Sequence, residues 1–180
     1  MKAKSILLLF SAILILSCKN DKTENSKENA TNVNTANSFK VTLNVTVKKE
    51  DDFSLFHTED GTTNFQGNPI WVKVKGSDMP QDVVFELPDD VIPTQLRLDF
   101  GMAKDQDAIK IHSFKMSYYG KTFEIPGEKF YIYFDPDLSK TIFDKTTGTV
   151  NAVVKDGVRM FPSFYPNTAP LGEEIQKIVK

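Results

Sequence analysis

Cysteine is nearly missing from this chain: its 180 residues hold one, Cys18. With that cysteine in the leading segment, the rest can form no disulfide and no thiolate metal site, so a hydrophobic core must hold the folded part together. Histidine is almost as scarce. His57 and His112 fit no His-x-x-x-His or His-Glu-x-x-His spacing, and His57 reads as a surface residue. No Gly-x-Ser-x-Gly elbow, P-loop or dinucleotide fingerprint is present, so no catalytic motif stands out. An excess of one charge is also lacking. The formal net charge is −2, which implies no nucleic acid or other polyanion as partner. Nor is there a membrane-spanning run: the leading apolar stretch, residues 6–16, falls short of the roughly 20 residues a spanning helix needs.

That stretch is informative in another way. Lys2 and Lys4 precede it, Ser17-Cys18 closes it, and the chain turns polar at Lys19. A charged start, a short apolar run and a small residue at the end make residues 1–17 a signal peptide. Ile15-Leu16-Ser17-Cys18 resembles the lipobox of bacterial lipoproteins. The resemblance implies cleavage before Cys18 and acylation of its sulfur and amino group, with two or three chains giving a stable membrane anchor. Lys19 stands where an Asp would favour inner-membrane retention, so the resemblance implies a cell-envelope protein held at the outer membrane. The plain alternative is an ordinary signal peptide with Cys18 incidental. Residues 19–38 are rich in Asn, Lys, Glu, Thr and Ser, too polar to offset the entropy of ordering. Residues 18–38 therefore read as a lipidated cysteine on a disordered tether, about 25 Å long on average as a coil.

From Phe39 the pattern changes. Phe39, Val41, Leu43, Val45 and Val47 alternate with polar residues, the period of a half-buried strand. Further strands are expected at 53–57, 70–75, 83–87, 95–100, 108–111, 114–118, 122–125, 129–134, 141–143, 149–155 and 158–161. Turn residues separate them, and Asp156-Gly157 gives the strongest hairpin signal. Ile109 and Ile111 share one parity, whereas Phe114, Met116 and Tyr118 share the other, which predicts a bulge or break near His112-Ser113. Helix is confined to a short candidate at 172–180, which frays unless docked. Residues 39–180 thus form one all-β domain, an antiparallel β-sandwich of about 9–11 short strands with a short C-terminal helix.

Several motifs in residues 52–125 carry a second resemblance. They are Phe53-Ser54-Leu55-Phe56, Val83-Val84-Phe85-Glu86-Leu87-Pro88, Leu96-Arg97-Leu98-Asp99 and Ile109-Lys110-Ile111. Their order resembles the jelly-roll domains beside bacterial glycosyltransferases and membrane proteins that build surface polysaccharide, domains similar in fold to carbohydrate-binding modules. The resemblance implies a jelly-roll fold and transfers no ligand residue.

Aromatic rings give the candidate site. In 70–75 the apolar parity is Ile70, Val72 and Val74, leaving Trp71, Lys73 and Lys75 opposite. In 129–134 the parity of Phe130, Ile132 and Phe134 leaves Tyr131 and Tyr133 opposite. Trp71, Tyr131 and Tyr133 are therefore the candidate ligand-binding residues, since flat rings with polar tips suit sugar faces and protein interfaces alike. Residues 161–166 are an alternative cover for them. Arg97 and Asp99 share a polar parity and can form a same-face ion pair. Carboxylates cluster at Glu50-Asp51-Asp52, Asp89-Asp90, Asp105/Asp107 and Asp135/Asp137. Two readings stand for them, turn chemistry and a bound calcium ion. No other cofactor is expected. Three functions follow: a non-catalytic module for a glycan or other envelope ligand, an assembly lipoprotein docking on an envelope protein, or a hydrolase with two convergent carboxylates. Mass spectrometry of the exported protein should find Cys18 as the mature amino end, with acyl mass attached. An unmodified amino end contradicts the anchor.

Overall fold

The computed structural model describes residues 38–180; the expected signal peptide, Cys18 and the tether up to residue 37 lie outside the described residues. Ser38, expected to end the tether, is buried, and its hydroxyl donates to the Glu86 carboxylate.

The chain forms β1 (Lys40–Val47), β2 (Asp51–Thr58), β3 (Ile70–Val74), β4 (Ser77–Glu86), β5 (Gln95–Asp99), β6 (Ile109–Tyr118) and β7 (Lys121–Pro126). A 3-10 turn (Gly127–Ile132) follows, then β8 (Phe134–Pro136), β9 (Thr141–Asp144), β10 (Thr149–Ala152), β11 (Val154–Lys155), β12 (Val158–Arg159) and β13 (Ser163–Pro166). Helix α1 (Thr168–Val179) closes the chain. One sheet runs β4-β1-β6-β10-β9, with β7 also paired to β6; the second runs β3-β2-β5-β13-β8. The pairings are antiparallel, and the architecture is the expected β-sandwich with one short C-terminal helix.

The core explains the strand parities. In β1 the apolar members Val41, Leu43, Val45 and Val47 are fully buried. Facing them across the sandwich are Phe53, Leu55, Leu96, Leu98 and Phe164 from the second sheet. Phe130 sits at the centre, edge-on to Phe100, Phe114 and Phe164 and stacked on Phe134 with ring centroids 4.6 Å apart. Such pairs add about 0.5–1.5 kcal/mol each beyond their area burial.

The expected bulge is present in β6. Asn44 faces Ser113 and Val45 faces Ile111, so His112 is the extra residue. It lets Ile109 and Ile111 share the core with Phe114 and Met116. The His112 Nε2 lies 2.8 Å from the Thr46 hydroxyl. Gly127 packs against this distorted ladder, where a Cβ would stand 2.0 Å from the Ile111 carbonyl oxygen. Only glycine permits that approach.

Several boundaries differ from expectation. The strand expected at 129–134 is the 3-10 turn instead. Phe130 and Phe134, four residues apart, stack across that turn, a spacing that also fits period two. Residues 161–166 are not a cover. They supply β13, an interior strand of the second sheet between β5 and β8. The strand expected at 149–155 changes partner at Val153, whose N–H still donates to the Lys140 carbonyl in register with β9 while its own carbonyl accepts from Met160. The chain then makes the β11–β12 hairpin, with Asp156 and Gly157 both at positive φ, as the Asp-Gly turn requires. Helix α1 starts earlier than expected and is docked: Leu171, Ile175 and Ile178 are buried, and Asn167 donates to the Ile132 and Tyr133 carbonyls.

Phe130→Ala should lower unfolding free energy by about 3–5 kcal/mol in urea titration of the full chain. A loss under about 1 kcal/mol would contradict its place at the core's centre.

Candidate functional site

Strand β2 decides where the site lies. Its inward residues are Phe53 and Leu55, so Asp52, Ser54 and Phe56 face out. Register then sets a row across four strands: Trp71 beside Ser54, Ser54 beside Asp99, and Asp99 beside Ser163. A neighbouring pair is Phe56 with Arg97. This outer face floors a groove of about 1000 Å³. One wall is the loop 101–108, and the other is the β11–β12 hairpin with Phe161.

Arg97 and Asp99 form the same-face ion pair expected of them, but not a solvated one. The guanidinium Nε and Nη2 donate to the two carboxylate oxygens at 2.9 and 2.7 Å, and both side chains are about four-fifths buried. The guanidinium carbon also lies 4.8 Å from the Phe56 ring centroid and 4.7 Å from that of Tyr165. Two hydrogen bonds and two rings hold the fork, so its remaining polar edges face the groove already oriented. Between this pair and Trp71 lies Ser54, 1% exposed, whose hydroxyl has no hydrogen-bond partner among the described residues. Trp71 is 53% exposed at the rim.

The loop wall hangs on Asp51, a buried carboxylate. Its Oδ1 accepts the backbone N–H groups of Met102 at 2.6 Å and Ala103 at 2.9 Å, and its Oδ2 accepts the Gln106 amide at 2.9 Å. Gly101 makes the approach possible. Its φ is +76°, and a Cβ there would lie 2.7 Å from Oδ2. Arg159 on β12 ties the hairpin to the same loop by donating to the Gly101 carbonyl at 3.3 Å. Burial pushes the Arg159 guanidinium below its ordinary range, with Asp51 and Asp105 opposing that shift. The Lys49 ammonium hydrogen-bonds Asp105 and holds that carboxyl low.

The structure places the three candidate aromatics apart. Trp71 lines the groove. Tyr131 lies on the 3-10 turn in a separate shallow depression, with the Lys145 ammonium 4.5 Å from its ring centroid. Tyr133 packs edge-on against Phe123, centroids 5.0 Å apart, and burial raises its phenol above the ordinary range, with Glu174 adding to the shift. The expected strand through Tyr131 and Tyr133 fails because the chain coils there. Phe56, Ser54, Phe161 and the hairpin were not read from the sequence as site residues. Phe56 alone left a signal, an aromatic ring on the polar parity of its strand.

Aspartates elsewhere serve turns. Asp60 accepts from Thr62, Asp137 from Ser139, and Asp144 from Thr146 and Thr147, which brings the Asp144 carboxyl down to about 2. Among the described residues no group of three or more His, Cys, Asp or Glu side chains gathers where a metal ion would be held. His57, expected at the surface, is half-buried, and its Nδ1 has no hydrogen-bond partner among the described residues. Among the described residues no helix is long and apolar enough to cross a membrane. No family model matches the chain, and neither a curated protein nor a solved structure does so.

Asp51→Ala should destabilise the protein by at least about 3 kcal/mol, since it removes three hydrogen bonds from the loop and hydrogen bonds to a charged group contribute roughly 1.5–3 kcal/mol each. It should also speed hydrogen exchange selectively at Met102 and Ala103. Unchanged exchange at those two amides would show that the loop holds without the carboxylate.

Proposed function

We propose that this is a cell-envelope lipoprotein, anchored through Cys18, whose β-sandwich binds a glycan without catalysis in the groove beside Trp71. The observation that supports it is the row on the groove floor: an exposed indole, an unpartnered hydroxyl and an oriented carboxylate–guanidinium pair side by side. A sugar presents the matching chemistry, a C–H face that packs on a flat ring and a rim of hydroxyls that both donate and accept. A hydrolase needs two carboxylates free to face one bond. The central carboxylate here, Asp99, is committed to Arg97 by two hydrogen bonds, which favours binding over cleavage.

A second reading, docking on an envelope protein, has an observation of its own. Met102, Val154, Val158 and Phe161 are exposed apolar side chains, and all of them rim the same groove. Exposed apolar residues gathered in one place mark interaction surfaces. The two readings separate by mutation. Polar replacement of Val154 and Val158 abolishes co-purification with a membrane complex under the second, whereas no such complex co-purifies under the first.

Trp71 is the chain's single tryptophan, so its fluorescence reports on the groove alone. Screening the full chain on a glycan array should find a ligand that perturbs this emission. Calorimetry should then show binding lost in Trp71→Ala and kept in Tyr131→Ala. Unchanged affinity in Trp71→Ala would remove the site.

A further inference from the structure

We propose that the groove reads an uncharged oligosaccharide of at least two sugar units laid across the strands, with Asp99 as the specificity-determining residue. This rests on the glycan reading above and goes beyond it in naming the class, the minimum length and the direction of the ligand. Three observations carry it.

The first is spacing. Trp71, Ser54 and Asp99 occupy one register row on three adjacent strands. Strands lie about 4.8 Å apart, so the Trp71 and Asp99 backbones stand about 10 Å from each other, perpendicular to the strands. One hexose ring seated on Trp71 does not reach Asp99; the next unit of a chain does.

The second is charge. Of the charged residues lining the groove, four are acidic and four basic, a net of zero. Half of them are also engaged in ion pairs: Arg97 with Asp99, Lys140 with Asp137, and Asp105 with Lys49. A uronate or phosphate on the ligand would find no unopposed cation at the centre of the floor. A neutral hydroxyl finds acceptors on Asp99 and donors on Arg97, held in place by Phe56 and Tyr165. An oriented acceptor of this kind discriminates sharply, because an analogue lacking the hydroxyl leaves a buried polar group unpaired.

The third is Ser54. A hydroxyl this buried without a partner is uncommon in a folded protein. It lies between the aromatic end and the charged end of the row, where the linkage between two units would pass. A serine hydroxyl swings on a single torsion, so a seated ligand oxygen supplies what the protein does not.

The test titrates the full chain with neutral manno-, cello- and malto-oligosaccharides, from free sugar to tetrasaccharide, following Trp71 emission and calorimetric heat. Oligogalacturonates serve as the anionic comparison. In one neutral series affinity should rise at least tenfold from monosaccharide to disaccharide, and it should be indifferent to salt between about 0.05 and about 0.5 M, where exposed charge pairs are progressively screened. Asp99→Asn should erase the gain from the second unit while the monosaccharide still perturbs Trp71. Ser54→Ala removes an unpartnered hydroxyl, so it should leave thermal stability unchanged or raised and weaken the disaccharide about fivefold. This second variant keeps the test decisive if Asp99→Asn fails to fold. Equal affinity for one and two units, wild-type disaccharide binding in both variants, or tighter salt-sensitive binding of the anionic series overturns this inference alone. Silence across every sugar, or binding indifferent to Trp71→Ala, overturns the glycan reading and this inference with it.

Discussion

Alternation in β2, enforced by the phenylalanine core, is the constraint on which the groove depends. Phe53 and Leu55 are fully buried against the opposite sheet. With them fixed inside, Ser54 and Phe56 have nowhere to point but outward. A slip of one residue would exchange the two sets and bury Ser54 and Phe56 in place of the core. The same pairing carries the outcome sideways, because antiparallel register aligns Trp71 and Asp99 with Ser54. The interior thus determines which side chains share the exterior face that floors the groove.

What turns that face into a groove is a set of departures from regular pairing. The loop after β5 folds back because Asp51 accepts its amides and Gly101 tolerates the left-handed backbone. The hairpin at β11 and β12 pairs with neither sheet, because from the Val153 carbonyl onward the chain bonds its own return strand at Met160 and Arg159 instead of β9. Arg159 joins the hairpin to the loop. Each wall is held by a few charged or left-handed residues, whereas the floor is held by many apolar ones. Wall and floor differ in their physics accordingly. Deleting one carboxylate can loosen a wall, but moving the floor requires unmaking the sandwich.

Much of this was legible in the sequence, wherever a local pattern had only one reading. The parity conflict between Ile111 and Phe114 admits no regular strand, so the bulge at His112 followed. Asp156-Gly157 requires left-handed backbone and gave the hairpin. Trp71 lies opposite Ile70, Val72 and Val74, and its exposure followed from that. Where two periods fitted the same residues, the reading failed. Phe130 and Phe134 are four apart, which satisfies a strand's alternation and a helical turn equally, and Gly127 against the Ile111 carbonyl decided for the turn. Ser163–Pro166 hid behind Pro162 and Pro166, which discourage a strand although β13 lies inside a sheet. The grouping of Trp71 with Ser54, Arg97 and Asp99 rather than with Tyr131 and Tyr133 is a long-range property. It depends on which strands become neighbours, and alternation within one strand carries no trace of that.

Hydrogen exchange of the full chain, free and with saturating oligosaccharide, tests the location of the site most directly. Protection confined to β2, β3, β5 and the loop and hairpin that wall the groove is the predicted footprint. Protection centred on the 3-10 turn around Tyr131, with the amides beside Trp71 and Asp99 unchanged, would contradict it.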